Sequence, residues 1–189
     1  VLGYSMGGRA ALHLALAAPE RVAALVLESA SPGIADPAER AARVRADEEL
    51  AAFIEREGIE AFVDRWERQP LFASQHRLPA ATRQALRASR LANRPRGVAN
   101  SLRGMGTGTM EPVEARLADL RLPVLLITGA LDAKYVTLSH AMAEAMPDAR
   151  LVIVPDAGHT VHLEQPEAFD AAVLDFLNAV LADRVAGWA

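Results

Sequence analysis

Cysteine is absent from the 189 residues of this chain, and lysine occurs once, at Lys134. Without cysteine there are no disulfides, thiolate zinc sites or cysteine nucleophiles. This absence fits a reducing compartment, and we expect the protein to be cytoplasmic. The formal net charge of −4 provides no basic surface for nucleic acid. Uninterrupted apolar runs such as residues 124–127 are far too short to span a bilayer, so we expect no membrane partner.

What the sequence does contain is a G-x-S-x-G motif at its very start, Gly3-Tyr4-Ser5-Met6-Gly7. An apolar pair precedes the motif and a helical pattern follows it, which is the strand–turn–helix context in which such a serine is exposed on a sharp turn. The motif therefore predicts that Ser5 is a nucleophile or, once deprotonated, a base. Since two residues precede Gly3 and neither is Met, we expect a piece of a longer protein, cut just before its catalytic serine.

The rest of the chain divides by pattern into a core and an insertion. Residues 1–33 and 116–189 alternate apolar strands with helices, as in a doubly wound, mostly parallel sheet covered on both faces. Residues 34–115 show helical patterns alone and are predicted to be a helical insertion. The predicted strands are 22–27, 124–127 and 151–154. The predicted helices run from the Ser5 turn to near Pro19, from the capping box at Asp36 to Gly58, from Ile59 through Trp66, from Pro79 to before Pro95, over about 135–146, and from Pro166 onwards.

Two further polar residues follow predicted strands, as a catalytic partner in a doubly wound sheet must. Asp132 comes after the second of these strands and His159 after the third. The chain order Ser, Asp, His is that of the α/β-hydrolase triad. We therefore predict that His159 deprotonates Ser5 and that Asp132 orients the imidazole, because a serine hydroxyl is inert without a base.

The oxyanion that such chemistry creates needs hydrogen-bond donors, and one of them is predicted to be the backbone N–H of Met6. The second donor would come from a loop after an earlier strand, which this chain does not include. A missing donor typically lowers the rate by roughly 10²–10³-fold. We therefore do not expect the chain to be active alone.

The other histidines have plainer explanations. His13, His76 and His140 are predicted to be surface or helix residues. His162 lies three residues after His159, but no carboxylate accompanies the two at a metal-ligand spacing. We therefore predict no metal site.

A run of glycines, Gly104, Gly106 and Gly108, superficially resembles a phosphate-binding loop. No strand precedes the run, and its spacing is not G-x-G-x-x-G. It is predicted to be a flexible loop.

Further segments match one family more specifically. On their account the chain resembles the 2-succinyl-6-hydroxy-2,4-cyclohexadiene-1-carboxylate synthase (MenH) family of α/β hydrolases over essentially its whole length. The resemblance implies an α/β-hydrolase fold in which the helical insertion is a lid. The segments are Gly3-Tyr4-Ser5-Met6-Gly7-Gly8-Arg9, Glu28-Ser29-Ala30-Ser31-Pro32-Gly33, Ala41-Ala42-Arg43, Trp66 with Gln69-Pro70-Leu71-Phe72-Ala73-Ser74, and Ala157-Gly158-His159-Thr160-Val161-His162.

The resemblance also implies a lyase reaction without a cofactor. Ser5, activated by His159 and Asp132, would abstract a ring proton, charge would develop on the succinyl carbonyl oxygen, and pyruvate would leave. The implied substrate is a small anion with three carboxylates, in menaquinone biosynthesis. Arginine suits such a substrate because its guanidinium pairs with carboxylates in a fork geometry.

The resemblance places Tyr4, Arg9, Arg43, Trp66 and Arg90 at the substrate. Each of the three positions in the insertion also has a structural explanation. In these explanations Arg43 pairs with the carboxylate four residues further along its helix, Arg90 belongs to a solvated arginine face, and Trp66 is a core residue on an apolar stripe.

Two other functions remain open at this point. A serine esterase or carbon–carbon bond hydrolase would use the same scaffold and triad, since neither fixes the reaction. A non-catalytic binding module is the second alternative, although such proteins commonly lose a triad residue and none is missing here.

Overall fold

Four short apolar segments form one parallel sheet in the order β1-β2-β3-β4 in the computed structural model, which describes residues 1–186 and side chains as far as residue 182. The strands are β1 Leu2–Tyr4, β2 Leu25–Glu28, β3 Val124–Gly129 and β4 Ala149–Val154. Leu2 pairs with Val26, Leu25 with Val124, and Val124 with Ala149. Every residue of β2 and β3 is buried, as expected for central parallel strands with both faces covered.

Helices bury the two faces of this sheet through alternate strand residues. Leu25 and Leu126 belong to a buried cluster with Leu12 of α1 (Met6–Ala17) and Met142 of α5 (Ala133–Ala145). Leu125 instead belongs to a cluster on the opposite face, with residues of α7 (Pro166–Ala186). Because successive strand side chains point to opposite faces, β2 and β3 each contribute to both clusters. The predicted doubly wound α/β architecture is confirmed.

All three predicted strands have different bounds in the structure: β3 ends two residues later, β4 begins two residues earlier, and β2 differs at both ends. β2 begins at Leu25, three residues later than predicted, and includes Glu28. A 3-10 turn, Pro19–Arg21, precedes β2, and the N–H of its cap residue Val22 donates to the carbonyl of Pro19 at 3.2 Å, so Val22 belongs to the turn and not to the strand. An acidic residue at the buried end of an apolar strand is the unexpected part, and the partner of Glu28 is described with the site.

The chain forms two compact units, which we call the sheet unit and the helical unit. The sheet unit contains Val1–Pro32 and Val113–Ala189, and the helical unit contains Gly33–Pro112. These limits differ by at most three residues from the predicted segments 1–33, 34–115 and 116–189, of which residues 187–189 lie outside the described part. The sheet unit also contains a 3-10 helix, Glu114–Asp119, and the single turn α6, Val161–Glu164.

The helical unit contains three helices and a 3-10 segment. They are α2 Pro37–Glu67, the 3-10 segment Pro70–Arg77, α3 Ala80–Leu91 and α4 Pro95–Met105. The Asp36 side chain accepts the N–H of Glu39 at 2.8 Å, so the predicted cap is present. Gly58 lies inside α2 with φ 85°, a conformation that breaks the helix where the sequence predicts a stop.

The end of the helical unit differs from the prediction in two ways. Helix α4 was not predicted, and Gly104 lies within it rather than in a flexible loop. Gly108 is buried, and a Cβ there would lie 2.7 Å from the carbonyl oxygen of Arg40 in α2. Gly108 therefore permits close packing of the chain on α2.

In the part of the chain that the structure describes, none of the helices combines the length and apolar character needed to cross a membrane.

Candidate active site

Ser5 occupies a strained turn between β1 and α1. Its φ is 49°, in the left-handed region that a serine rarely adopts, and such strain clusters at functional sites. Its N–H donates to the carbonyl of Glu28 at 2.8 Å, which fixes the turn to the end of β2. A Cβ at Gly3 would lie 2.7 Å from the Cα of Gly8, so glycine is required for strand and helix to approach.

Asp132 lies between the carboxyl end of β3 and the first turn of α5. Its Oδ1 accepts the N–H of Tyr135 at 3.4 Å, and the residue is 8% exposed. One carboxylate oxygen is thus used locally at a helix N-terminus, where negative charge is favourable. The other oxygen is left to a more distant partner.

That partner is His159, in the loop after β4. Its Nδ1 lies 2.7 Å from Oδ2 of Asp132, and its Nε2 lies 3.0 Å from Oγ of Ser5. The histidine is 1% exposed, and its bond to Asp132 is buried from water. The structure therefore brings together the three side chains that the sequence predicts as a triad.

The hydrogen-bond network assigns a tautomer to the neutral imidazole. A carboxylate can only accept, so Nδ1 of His159 carries the proton and donates it to Asp132. Nε2 is then the acceptor for the Ser5 hydroxyl. This arrangement lets the imidazole take the serine proton while Asp132 stabilises the resulting positive charge.

Two tyrosine rings flank the imidazole. The ring centroid of Tyr4 lies 5.3 Å from that of His159, and the ring centroid of Tyr135 lies 4.6 Å from it. The hydroxyl of Tyr4 lies 3.3 Å from Oγ1 of Thr160, the residue after the histidine. Tyr4 thus contacts the catalytic candidate directly, while its substrate-lining role remains a prediction.

Met6 and Arg9 lie in the first turn of α1. The N–H of Met6 follows Ser5 at the positive end of the helix, the position of an oxyanion donor in this motif. Arg9 donates its backbone N–H to the carbonyl of Ser5 at 3.2 Å and is 7% exposed. A guanidinium held in so little water favours an anionic partner.

The remaining predicted substrate residues lie in the helical unit, where each has neighbours of its own. Nε of Arg43 donates to Asp47 at 2.9 Å, the pairing that the sequence also suggests. Arg90 donates to Glu67 at 2.9 Å and to Gln75 at 3.1 Å.

Glu67 is shared with Arg87, whose pKa is raised by its hydrogen bonds to Asp64 and Glu67. Trp66 is partly buried between two aromatic rings, with centroid distances of 5.3 Å to Phe62 and 5.5 Å to Phe72. The core explanation of Trp66 thus has a structural basis, and the substrate roles of all three residues stay predictions.

Sequence reasoning missed two carboxylates beside the triad. Glu28 is buried and accepts hydrogen bonds from the N–H and the Nδ1 of His162, at 3.1 and 2.8 Å from its nearest oxygens. Glu164 accepts from the N–H groups of Gly158 and Thr160. An ionisable residue ending an apolar strand is a sequence signal that points to Glu28, because buried carboxylates need a partner. No comparable signal identifies Glu164.

No group of three or more metal-ligating side chains occurs among the described residues. His162, the neighbour of the triad histidine, is used in its pairing with Glu28.

A model of the alpha/beta hydrolase family matches residues 1–172. Over 95% of its length the chain is 48% identical to a Bacillus subtilis protein provisionally named 2-succinyl-6-hydroxy-2,4-cyclohexadiene-1-carboxylate synthase. The solved structure of MenH from S. aureus superposes with a TM-score of 0.94 and 38% identity, over 95% of the chain. A thermophilic esterase from Thermogutta terrifontis superposes at 0.80 with 28% identity, again over 95%. The resemblance inferred from the motifs is confirmed.

These similarities cover part of each relative. The chain spans 66% of the Bacillus subtilis protein, 68% of the S. aureus chain and 64% of the esterase chain.

Proposed function

The chain belongs to the α/β-hydrolase family, and from this premise we propose that its protein is a carbon–oxygen lyase of menaquinone biosynthesis. It would eliminate pyruvate from 2-succinyl-5-enolpyruvyl-6-hydroxy-3-cyclohexene-1-carboxylate. The observation that carries this proposal is the 48% identity to the Bacillus subtilis synthase over 95% of the chain. The hydrogen-bonded Ser5–His159–Asp132 arrangement supports it, because elimination needs a base at the ring.

The first step is a proton transfer. The hydroxyl proton of Ser5 passes to Nε2 of His159, and the serine oxygen takes the proton from the ring carbon that bears the succinyl group. The electron pair of that C–H bond moves towards the succinyl carbonyl, whose oxygen becomes negative. The N–H of Met6 would stabilise this oxyanion, which removes charge from the carbon and lowers the barrier.

The second step expels the enolpyruvyl group. The carbonyl re-forms, the ring double bond shifts to give the 2,4-diene, and the bond between the ring and the enolpyruvyl oxygen breaks with its electron pair on oxygen. The departing enolate gains one proton and becomes pyruvate, which balances the proton removed from the ring. The two steps require no acyl-enzyme and no cofactor, because the ring hydrogen and the leaving group both belong to the substrate.

The three carboxylates of this substrate call for fixed positive charge. We assign Arg9 to one of them, because a buried guanidinium one turn from the base binds a carboxylate strongly in bidentate geometry. Arg43 is assigned to a second, since its bond to Asp47 is made by Nε and a guanidinium has further N–H donors on its two terminal nitrogens. Arg90 and Trp66 complete the proposed substrate contacts, with Tyr4 as a wall beside the imidazole. The helical unit would then act as the lid, and the reaction would take place in the cytoplasm.

The second candidate function is a serine esterase or carbon–carbon bond hydrolase. The likeness to the Thermogutta terrifontis esterase favours it, because the same three side chains would then serve nucleophilic attack by Ser5 on a carbonyl carbon. The two reactions differ in whether the serine oxygen forms a covalent bond to the substrate. That bond is the feature to measure.

The experiment uses the protein as its gene encodes it, purified and supplied with the cyclohexene carboxylate. Pyruvate is followed through lactate dehydrogenase, and p-nitrophenyl acetate and butyrate are supplied in parallel reactions. We expect pyruvate and the diene to form in equal amounts, without measurable ester turnover. Intact mass of protein quenched during turnover should equal that of the free enzyme.

Rapid ester hydrolysis with an acyl group on Ser5, together with no pyruvate release, would replace the lyase by the esterase. Inactivity on the cyclohexene carboxylate and on the esters, with the fold intact by circular dichroism, would favour the non-catalytic binding module.

A further inference from the structure

The loop that carries His159 is held by a carboxylate that the proposed reaction does not use. Oε2 of Glu164 accepts the N–H of Gly158 at 2.8 Å, and Oε1 accepts the N–H of Thr160 at 3.1 Å. The two donors lie on either side of His159 in the chain. One side chain thus bridges the peptide groups around the catalytic candidate.

These bonds matter because both donors are buried. A buried N–H without a partner is destabilising, and hydrogen bonds to a charged acceptor are the stronger class. A carboxylate has an acceptor oxygen for each N–H, so it satisfies both at once. No neutral side chain has two such oxygens, which makes Glu164 specific for this position.

The other side of the loop is fixed by β3. A Cβ at Gly129 would lie in the space occupied by the Ala157 and Gly158 carbonyls, so that the loop packs directly on the strand end. The N–H of Leu131 donates to the carbonyl of Ala157 at 2.9 Å. β3 thus fixes one side of the loop, and the two hydrogen bonds to Glu164 fix the other side.

The turn that carries Glu164 is itself attached to the serine side of the site. His162, in the same turn α6, donates its N–H and Nδ1–H to the carboxylate of Glu28. The backbone carbonyl of Glu28 accepts the N–H of Ser5. A continuous path of hydrogen bonds therefore runs from the Ser5 turn through Glu28 and α6 to the His159 loop.

We propose that Glu164 is a positioning residue that holds His159 at bonding distance from Ser5. It touches neither the substrate nor the reacting atoms, and it acts by fixing the peptide groups around the histidine. The inference rests on the proposed use of Ser5 and His159 as a proton-transfer pair, and it holds for the lyase and the esterase alike. Displacing a catalytic group by about 1 Å can lower the rate roughly 10²-fold.

The test compares E164Q with E167Q in the full-length protein. Glutamine at position 164 keeps one acceptor oxygen and turns an NH₂ group towards the second N–H, so one bond is lost and a donor faces a donor. Glu167 is exposed in the first turn of α7, so E167Q is the same chemical change without the loop contact. Rates are normalised to the folded fraction, measured by thermal melting for each variant.

Two readouts are expected to move together. The kcat for pyruvate release should fall about 10–100-fold in E164Q with KM within twofold of wild type, since the substrate contacts are intact. The rate at which a fluorophosphonate labels Ser5 should fall by the same factor. E167Q should match wild type in both.

Three results would each overturn the positioning role. They are labelling and turnover of E164Q at the wild-type rates, a loss of rate that disappears after normalisation to the folded fraction, and a rise in KM at constant kcat. The labelling rate separates this inference from the proposed function. Slow labelling in E164Q together with no pyruvate release by the wild type would retain the positioning role and reject the lyase.

Discussion

The sheet unit and the helical unit hold their charged side chains in different ways. In the sheet unit, Asp132 and Glu28 lie buried at strand ends, each opposite one imidazole. In the helical unit, Arg103 of α4 pairs on the helix surface with two carboxylates of α2, Glu48 at 2.8 Å and Glu55 at 2.7 Å. Buried single pairs fix geometry, because a displaced partner leaves an unpaired group out of water. Exposed ion pairs are readily replaced by contacts with water, and they contribute little to the free energy of unfolding.

The comparison is sharpest for two buried aspartates, one in each unit. Asp132→Asn should lower kcat by about 10⁴-fold, as the same change does in a serine protease, because an amide oxygen that keeps the N–H of Tyr135 leaves the NH₂ group facing Nδ1 of His159, which favours the wrong tautomer. Asp47→Asn changes a 4% exposed aspartate that accepts a hydrogen bond from Arg43, and it should lower kcat by about tenfold or less. Steady-state pyruvate release measures both. Equal losses in the two variants would contradict the special role of Asp132 beside His159, since burial is common to both aspartates.

The substrate role of the helical unit is tested at Arg43. Arg43→Ala should lower kcat/KM by about 10–100-fold, because hydrogen bonds to charged groups contribute about 1.5–3 kcal/mol. Arg45→Ala, an exposed arginine in the same helix, is the control. Pyruvate release over a range of substrate concentrations gives kcat/KM for both variants. Indistinguishable values for the two would assign Arg43 to its pairing with Asp47 alone.

The smallest effect is expected for the surface ion pairs, and it depends on pH. The hydrogen bond from Arg103 lowers the pKa of both Glu48 and Glu55 from the ordinary value of 4.5. A lowered folded-state pKa stabilises the fold fully above pH 4.5 and loses that effect as the pH falls through the lowered value. Arg103→Met should therefore lower the melting temperature slightly at neutral pH, and the difference from wild type should shrink below pH 4.5.

Thermal melts of Arg103→Met at pH 7 and at pH values below 4.5 measure this difference. Arg83→Met, an exposed arginine of α3, is the control. A melting-temperature difference that stays constant with pH, or one that grows in acid, would contradict the assignment of the pKa shift to Arg103.

The two units also differ in how far the sequence predicts them. In the sheet unit, apolar runs place the strands, and the residues just after them must meet at one edge, so Ser5, Asp132 and His159 follow from spacing. Glu164 was not foreseen because its partners are backbone N–H groups, which leave no trace in the sequence. Glu28 was missed because β2 was predicted to end one residue too early.

In the helical unit the contacts are mostly between distant segments. Helix α4 was missed because Gly97 and Gly104 lower its intrinsic helix propensity, and tertiary packing overrides that preference. Its residues Val98, Ala99 and Leu102 are at least partly buried. The carboxylate that each arginine selects depends on how the helices pack, which a linear pattern does not record.

The most direct test of the account is the Ser5→Ala variant of the full-length protein in the pyruvate assay, with circular dichroism to show an intact fold. Alanine keeps the turn and removes the oxygen that receives the ring proton. The account predicts a fall in kcat of about 10⁴-fold or more, with little change in melting temperature. Pyruvate release within tenfold of wild type would contradict the proposal that Ser5, assisted by His159 and Asp132, is the base.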